Sequence, residues 1–202
     1  MPPSTRDRLL TAAVDLLIEK GSFDQVSLRA IASGAGVSPT AVYRHFADHA
    51  ALLDAVAAWC WEQFDAAVFG HELDPVGADP ADYFLRCGQG FIAFAREYPG
   101  IYRVLMDQRF DDVNRVDDGR VVFAKLVDAV ARILAVNGDH RDPELVALLV
   151  HTWIHGIATL HLPPVAGEPS ADDLLSELGC ALGLVCRPAA VVGDGSGIGG
   201  RQ

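Results

Sequence analysis

His151 and His155 stand four residues apart in "LVHTWIHGI", so on a helix their imidazoles share one face. That spacing can chelate zinc, or it can supply two polar groups to a cleft. No glutamate follows His151, so the metalloprotease pattern is missing, and a third ligand would come from His161 or a cysteine. Two histidines satisfied within a core are the plain structural alternative. The cysteines, Cys60, Cys87, Cys180 and Cys186, include no CxxC pair, and "MPPSTRDRLL" carries no apolar signal core. Reduced, buried thiols in a cytoplasmic protein are the expectation. No nucleophile–base pairing is legible, so the sequence offers no catalytic residue and calls for no cofactor.

A second group of chemistry-bearing residues lies in "SLRAIASGAGVSPTAVYRHF", residues 27–46. Ser38, Thr40, Tyr43, Arg44 and His45 fall on one side of a helical spacing, and Ala41, Val42 and Phe46 fall on the other. Hydroxyl, phenol, guanidinium and imidazole groups are those that read base edges and hold phosphates. Ser27 and Arg29, just upstream, are placed to reach a phosphate backbone.

Presenting those side chains takes short helices packed at a steep angle. Ser27 can cap one, with Leu28, Ile31 and Ala32 inward. Gly34 and Gly36 permit a sharp turn. Ser38-Pro39 then restarts a helix with a hydroxyl cap and a proline at its first position. Ahead of them, Ser4 to Lys20 reads as a longer helix with a Ser4–Asp7 capping box and Gly21 at its exit. Each short helix is too short to stand alone, and the three together form a helix-turn-helix. Its use is to offer a short helix to the major groove of double-stranded DNA.

Residues 5–53 resemble the N-terminal domain of TetR/AcrR-type transcriptional repressors. The family pattern is matched at Ile31, Ala32, Ala35, Gly36, Val37, Ser38, Tyr43, His45 and Phe46. Many relatives carry a lysine on a backbone phosphate where His49 stands, so the resemblance implies a weaker or pH-dependent contact there. Further on, "WIHGIATL" resembles the Trp-x-His-Gly signature of one ligand-binding subclass, at Trp153, His155 and Gly156. The resemblance also implies dimerisation through the last two helices and a small-molecule pocket among the middle ones.

Downstream of residue 47 the pattern stays helical. Segments at 48–69, 83–98, 101–106, 121–136, 144–161 and 172–185 alternate with turn-rich stretches at 71–82 and 163–169. The acidic run 107–118 reads as a solvated loop. "ELVALLVHTWIHGIATLHL" has no charge after Glu144, which suits a helix covered on both sides. Its stripe of Leu145, Leu149, Trp153 and Gly156, with Leu174, Leu178 and Leu182 of the last segment, is the expected dimer interface. For Gly156, a gap in packing within one chain is the competing explanation. Phe64, Phe91, Phe94, Tyr102, His151 and His155 are the candidate lining of an effector pocket.

The net charge is −11. Residues 1–46 hold five basic and four acidic side chains, so one net positive charge sits there and −12 belongs to the remainder. That balance argues against broad affinity for DNA and against an acidic membrane surface. The expectation is an all-α protein. Residues 1–47 form the DNA-reading domain, 48–186 the effector-binding and dimerisation domain, and 187–202 a disordered tail. It would act as a homodimer on a palindromic operator, with a small hydrophobic effector releasing it. The alternatives are an all-α metal protein or enzyme using His151 and His155, and a constitutive DNA-binding module without an effector.

Overall fold

The computed structural model describes residues 3–70, 79–106, 113–160 and 169–185, with the backbone alone for 113–118. The expected tail and the stretches 71–78, 107–112 and 161–168 lie outside the described residues, His161 and Cys186 among them.

Among the described residues the chain is entirely α-helical, apart from one 3-10 turn at Phe23–Gln25 and the connections. The helices are α1 (Thr5–Lys20), α2 (Leu28–Gly34), α3 (Pro39–Val42), α4 (His49–Phe69), α5 (Pro80–Glu97), α6 (Pro99–Met106), α7 (Val113–Val136), α8 (Pro143–Thr159) and α9 (Ala171–Ala181).

The N-terminal caps follow the sequence signals. Ser4 and Asp7 form a reciprocal capping box, and Gly21 closes α1 in the left-handed conformation at φ 66°. Ser27 accepts from the Ala30 N–H at 3.3 Å, and Asp48 accepts from the Ala51 N–H at 2.8 Å. The Ser38 hydroxyl makes no capping bond, so Pro39 alone sets the start of α3.

Three boundaries differ from expectation. α3 is a single turn. The chain beyond it tightens, with Arg44 N–H to Ala41 O and His45 N–H to Val42 O, so Tyr43, Arg44 and His45 lie in a turn that prolongs the helix path. α5 begins at Pro80, because Asp79 caps it by accepting from the Ala81 N–H at 3.0 Å. α7 begins at Val113, so residues 113–118 of the acidic run are helical. Asp-Asp-Gly at 117–119 looks like a helix breaker, yet Gly119 lies against Trp61, where a Cβ would come within 3.0 Å of the indole.

One continuous apolar cluster runs from the N-terminal helices into the larger bundle. Leu9, Ala13, Leu17, Ile31, Val42 and Leu52 lock α1 to α4 around one centre, all fully buried. Burial of an aliphatic side chain of this size is worth about 1.5–3 kcal/mol, which outweighs the poor intrinsic stability of α2 and α3. α4 carries the cluster onward through Val56, Cys60 and Phe64 into α5. At Gly90 a Cβ would meet the Ala67 carbonyl oxygen at 2.1 Å, so glycine there lets α5 lie directly on the backbone of α4. α6 crosses beneath α1. At Gly100 a Cβ would approach the Ile18 carbonyl oxygen at 3.2 Å, and the Arg103 guanidinium lies over Gly21.

Candidate DNA-reading face and ligand cavity

The exposed edge of the N-terminal domain is built by α2, the glycine turn and α3. With Ile31, Ala32, Val42 and Phe46 buried, Ser38, Thr40, Tyr43, Arg44 and His45 are all exposed. Tyr43 is 57% exposed, unusual for a ring with no need to be in water. Ser27 and Arg29 are exposed at the start of α2. The Ser27 oxygen accepts a capping bond, which leaves its O–H free to donate outward.

His49 departs from this face. It is half-buried, and its Nε2 donates to the Val26 carbonyl at 2.9 Å. The ring ties the turn before α2 to the start of α4. One ring nitrogen is thereby occupied, and only Nδ1 is left for any phosphate contact.

In the second half, α4, α5, α7 and α8 surround a cavity of about 560 Å³. Trp61, Phe64, Phe69, Phe84, Phe91 and Phe123 give it six aromatic walls. Phe64 meets Phe91 edge-on at 5.3 Å, and Phe123 meets His151 edge-on at 5.9 Å. Leu105 and Met106 of α6 close one part of the wall. The volume and the apolar lining are those of a small-molecule site.

Four of the six expected lining residues touch the cavity: Phe64, Phe91, His151 and His155. Phe94 does not. It is buried behind Phe64 at 5.2 Å and stacks toward Tyr98. Tyr102 also stands outside the lining, in a supporting position, with its hydroxyl 2.6 Å from His155 Nδ1. Burial raises the Tyr102 pKa and keeps the phenol protonated. A protonated phenol can donate to Nδ1, and with Tyr102 as the donor the ring proton of His155 sits on Nε2. His151 has its pKa lowered, first by burial and then by the neighbouring His155 ring, 6.2 Å away. Among the described residues no group of three metal-ligating side chains assembles around this pair.

Sequence reasoning missed Arg120, Trp61, Leu105 and Met106. Arg120 falls between the acidic run 107–118, which reads as a solvated loop, and the expected helix at 121–136. The other three lie on stripes that spacing alone cannot distinguish from core. Two lining residues carry groups with little left to offer a ligand. Thr152 donates to the Leu148 carbonyl at 2.9 Å, and burial pushes the Cys87 thiol up to about 11.

α8 has two unlike faces. Val146, Ala147, Val150, Ile154 and Ala158 are buried. On the other side Leu145 (58%), Leu149 (42%), Trp153 (55%) and Leu160 (71%) are exposed in an uncharged stripe. Among the described residues nothing lies within 4 Å of a Cβ placed on Gly156, so no close neighbour there calls for a glycine. Leu174 on α9 and Leu182 just past its end are half-buried. Leu178 is not on the outer face: at 1% exposure it points into its own protomer. No described helix is long and apolar enough to cross a membrane.

Comparison with known proteins follows the same division. Residues 9–56 match the family model of bacterial regulatory proteins, tetR family, and residues 84–178 match a tetracyclin repressor-like C-terminal domain. A curated relative, an uncharacterized HTH-type transcriptional regulator from Haemophilus influenzae, is 48% identical over 44 residues, 22% of each chain. The match thus spans about a fifth of that relative. The fold resembles that of a protein of unknown function from Rhodococcus sp. RHA1, at 26% identity and TM-score 0.73, covering 89% of this chain and 94% of that one. It also resembles a TetR-like transcriptional regulator from the same organism, at 23% identity and TM-score 0.66, covering 90% and 96%. The Trp153, His155 and Gly156 signature rests on those residues alone. With a helix-turn-helix at one end, a helical bundle at the other and a family match to each, the chain belongs to the tetR family of bacterial regulatory proteins.

Proposed function

We propose that the protein is a homodimeric repressor that binds a palindromic DNA operator and is released by a small hydrophobic effector. The observation that carries this reading is a continuous core joining an exposed DNA-reading face to a cavity about 560 Å³ in volume. Ser38, Thr40, Tyr43 and His45 would meet base edges, while Ser27, Arg29 and Arg44 would meet phosphates. Pairing of the bare α8 stripe with its two-fold mate, flanked by Leu174 of α9 and Leu182 just past its end, would cover apolar surface that water now touches.

Release would act through the two helices that touch both ends. α4 begins at the DNA-reading domain and ends in the cavity wall. α6 lies under α1 at Gly100 and supplies Leu105 and Met106 to the cavity. A ligand that spreads the cavity would tilt either helix and change the separation of the two reading faces. Moving operator occupancy from 99% to 1% takes about 5.5 kcal/mol of differential affinity between the two shapes. Burying an apolar ligand among six aromatic rings is a source of that size.

The test is to titrate a library of hydrophobic metabolites against the DNA-bound protein, followed by fluorescence anisotropy. A subset should release DNA while sedimentation still reports a dimer. If none releases it, the constitutive DNA-binding reading replaces this one.

A further inference from the structure

The polar part of the cavity is one-sided in charge. Arg120, His151 and His155 line it, and among the described residues no aspartate or glutamate does. The nearby Asp65 is outside the lining and is held by Lys125 at 2.6 Å. Among the described lining residues an organic cation would therefore face a guanidinium and no carboxylate. An anion would meet a cation and a hydrogen-bond donor.

Those two groups stand at one level. α7 and α8 are joined by the six residues 137–142, so they run antiparallel. Phe123 faces His151 across the pair. One turn back along α7 from Phe123 is Arg120, and one turn on along α8 from His151 is His155. Arg120 is exposed and so stands where the cavity meets solvent, while His155 is half-buried with its Nδ1 engaged by Tyr102. Among the described residues no partner is shown for the Nε2 of His155.

We propose that the effector is an apolar monocarboxylate, its hydrocarbon body among the aromatic walls and its carboxylate held between the Arg120 guanidinium and the His155 Nε2–H. Arginine suits this role because its planar fork can take both carboxylate oxygens, and it stays charged at any working pH. Tyr102 is the positioning residue: by donating to Nδ1 it fixes the tautomer that presents a donor to the ligand. His151, held neutral by burial and edge-on to Phe91, contributes wall rather than charge. The inference rests on the ligand-release reading above, which it makes specific in chemistry.

Isothermal calorimetry on the purified full chain without DNA tests it, using two matched series. One is octanoate, octanol and octylamine; the other is 4-phenylbutyrate, 4-phenylbutanol and 4-phenylbutylamine. In at least one series the acid should bind ten-fold or more tighter than the alcohol, and the amine weakest. Which series is preferred tells an acyl source from an aryl one. Arg120→Gln should bring the acid to the alcohol's affinity without changing the alcohol, and Arg120→Lys should retain part of the gain. Tyr102→Phe should weaken the acid more than the alcohol. An alcohol or amine that equals the acid in both series, no binding by any of the six, or an acid indifferent to Arg120→Gln would each overturn the proposal. A protein that binds the acids yet keeps its DNA would sink the release reading and leave this one standing.

Discussion

At the residue scale, the account depends on side chains whose exposure or burial has no structural excuse. Tyr43 is the clearest on the candidate DNA-reading face, since more than half of it faces solvent, at 57% exposure. Tyr43→Ala should leave the melting temperature unchanged and cost about 1–3 kcal/mol in operator affinity, read by anisotropy, as a lost groove contact would. Unaltered affinity would remove α3 and its turn from recognition. In the cavity, His151 carries a dependence on pH. Its pKa falls on folding from the ordinary 6.5, because burial opposes the charged ring. The unfolded chain therefore takes up a proton that the folded chain refuses. The stability this ring contributes is complete above about pH 6.5 and is lost as pH falls through and below that value. His151→Phe should flatten the decline in melting temperature between about pH 6.5 and 5. A slope identical to that of the unchanged protein would show that the ring is solvated in solution.

At the element scale, α8 carries the proposed dimer interface. Gly156 stands in its bare stripe with open space around it, so a side chain there disturbs nothing within one protomer. Gly156→Glu should leave the protomer folded by circular dichroism, yet shift sedimentation to monomer or aggregate, because a charge buried between two copies costs several kcal/mol. A variant that stays dimeric would mean the stripe faces elsewhere. The helices themselves were largely legible: caps at Ser4 and Ser27 and the glycine after Lys20 mark ends that the structure keeps. What was not legible came from contacts distant in sequence. Gly119 reads as a breaker until Trp61 is seen beneath it. Leu178 matches Leu174 and Leu182 in type, and only the rotation of α9 against α5 sends it inward. The bond from His49 to the Val26 carbonyl, across 23 residues, leaves no mark in the sequence. Phe94 and Phe91 are three residues apart in one aromatic helix, and which of them meets a cavity depends on Phe64 from α4.

At the scale of the whole molecule, the charge asymmetry, the continuous core and the two-faced bundle support the proposal that each half has a separate task and that the two are mechanically linked. An overall charge of −11 disfavours bulk DNA, so in the proposed dimer affinity would come from the fit of a few residues, in two copies, to a particular sequence. A dimer with two-fold symmetry reads two half-sites about 34–36 Å apart, or a multiple of one helical turn. Selection of bound duplexes from a random pool by the purified protein, followed by sequencing, tests this most directly. The account predicts recovery of an inverted repeat with fixed half-site spacing, lost together with binding in Tyr43→Ala. Recovery of no sequence, or of a single unrepeated site, would contradict it.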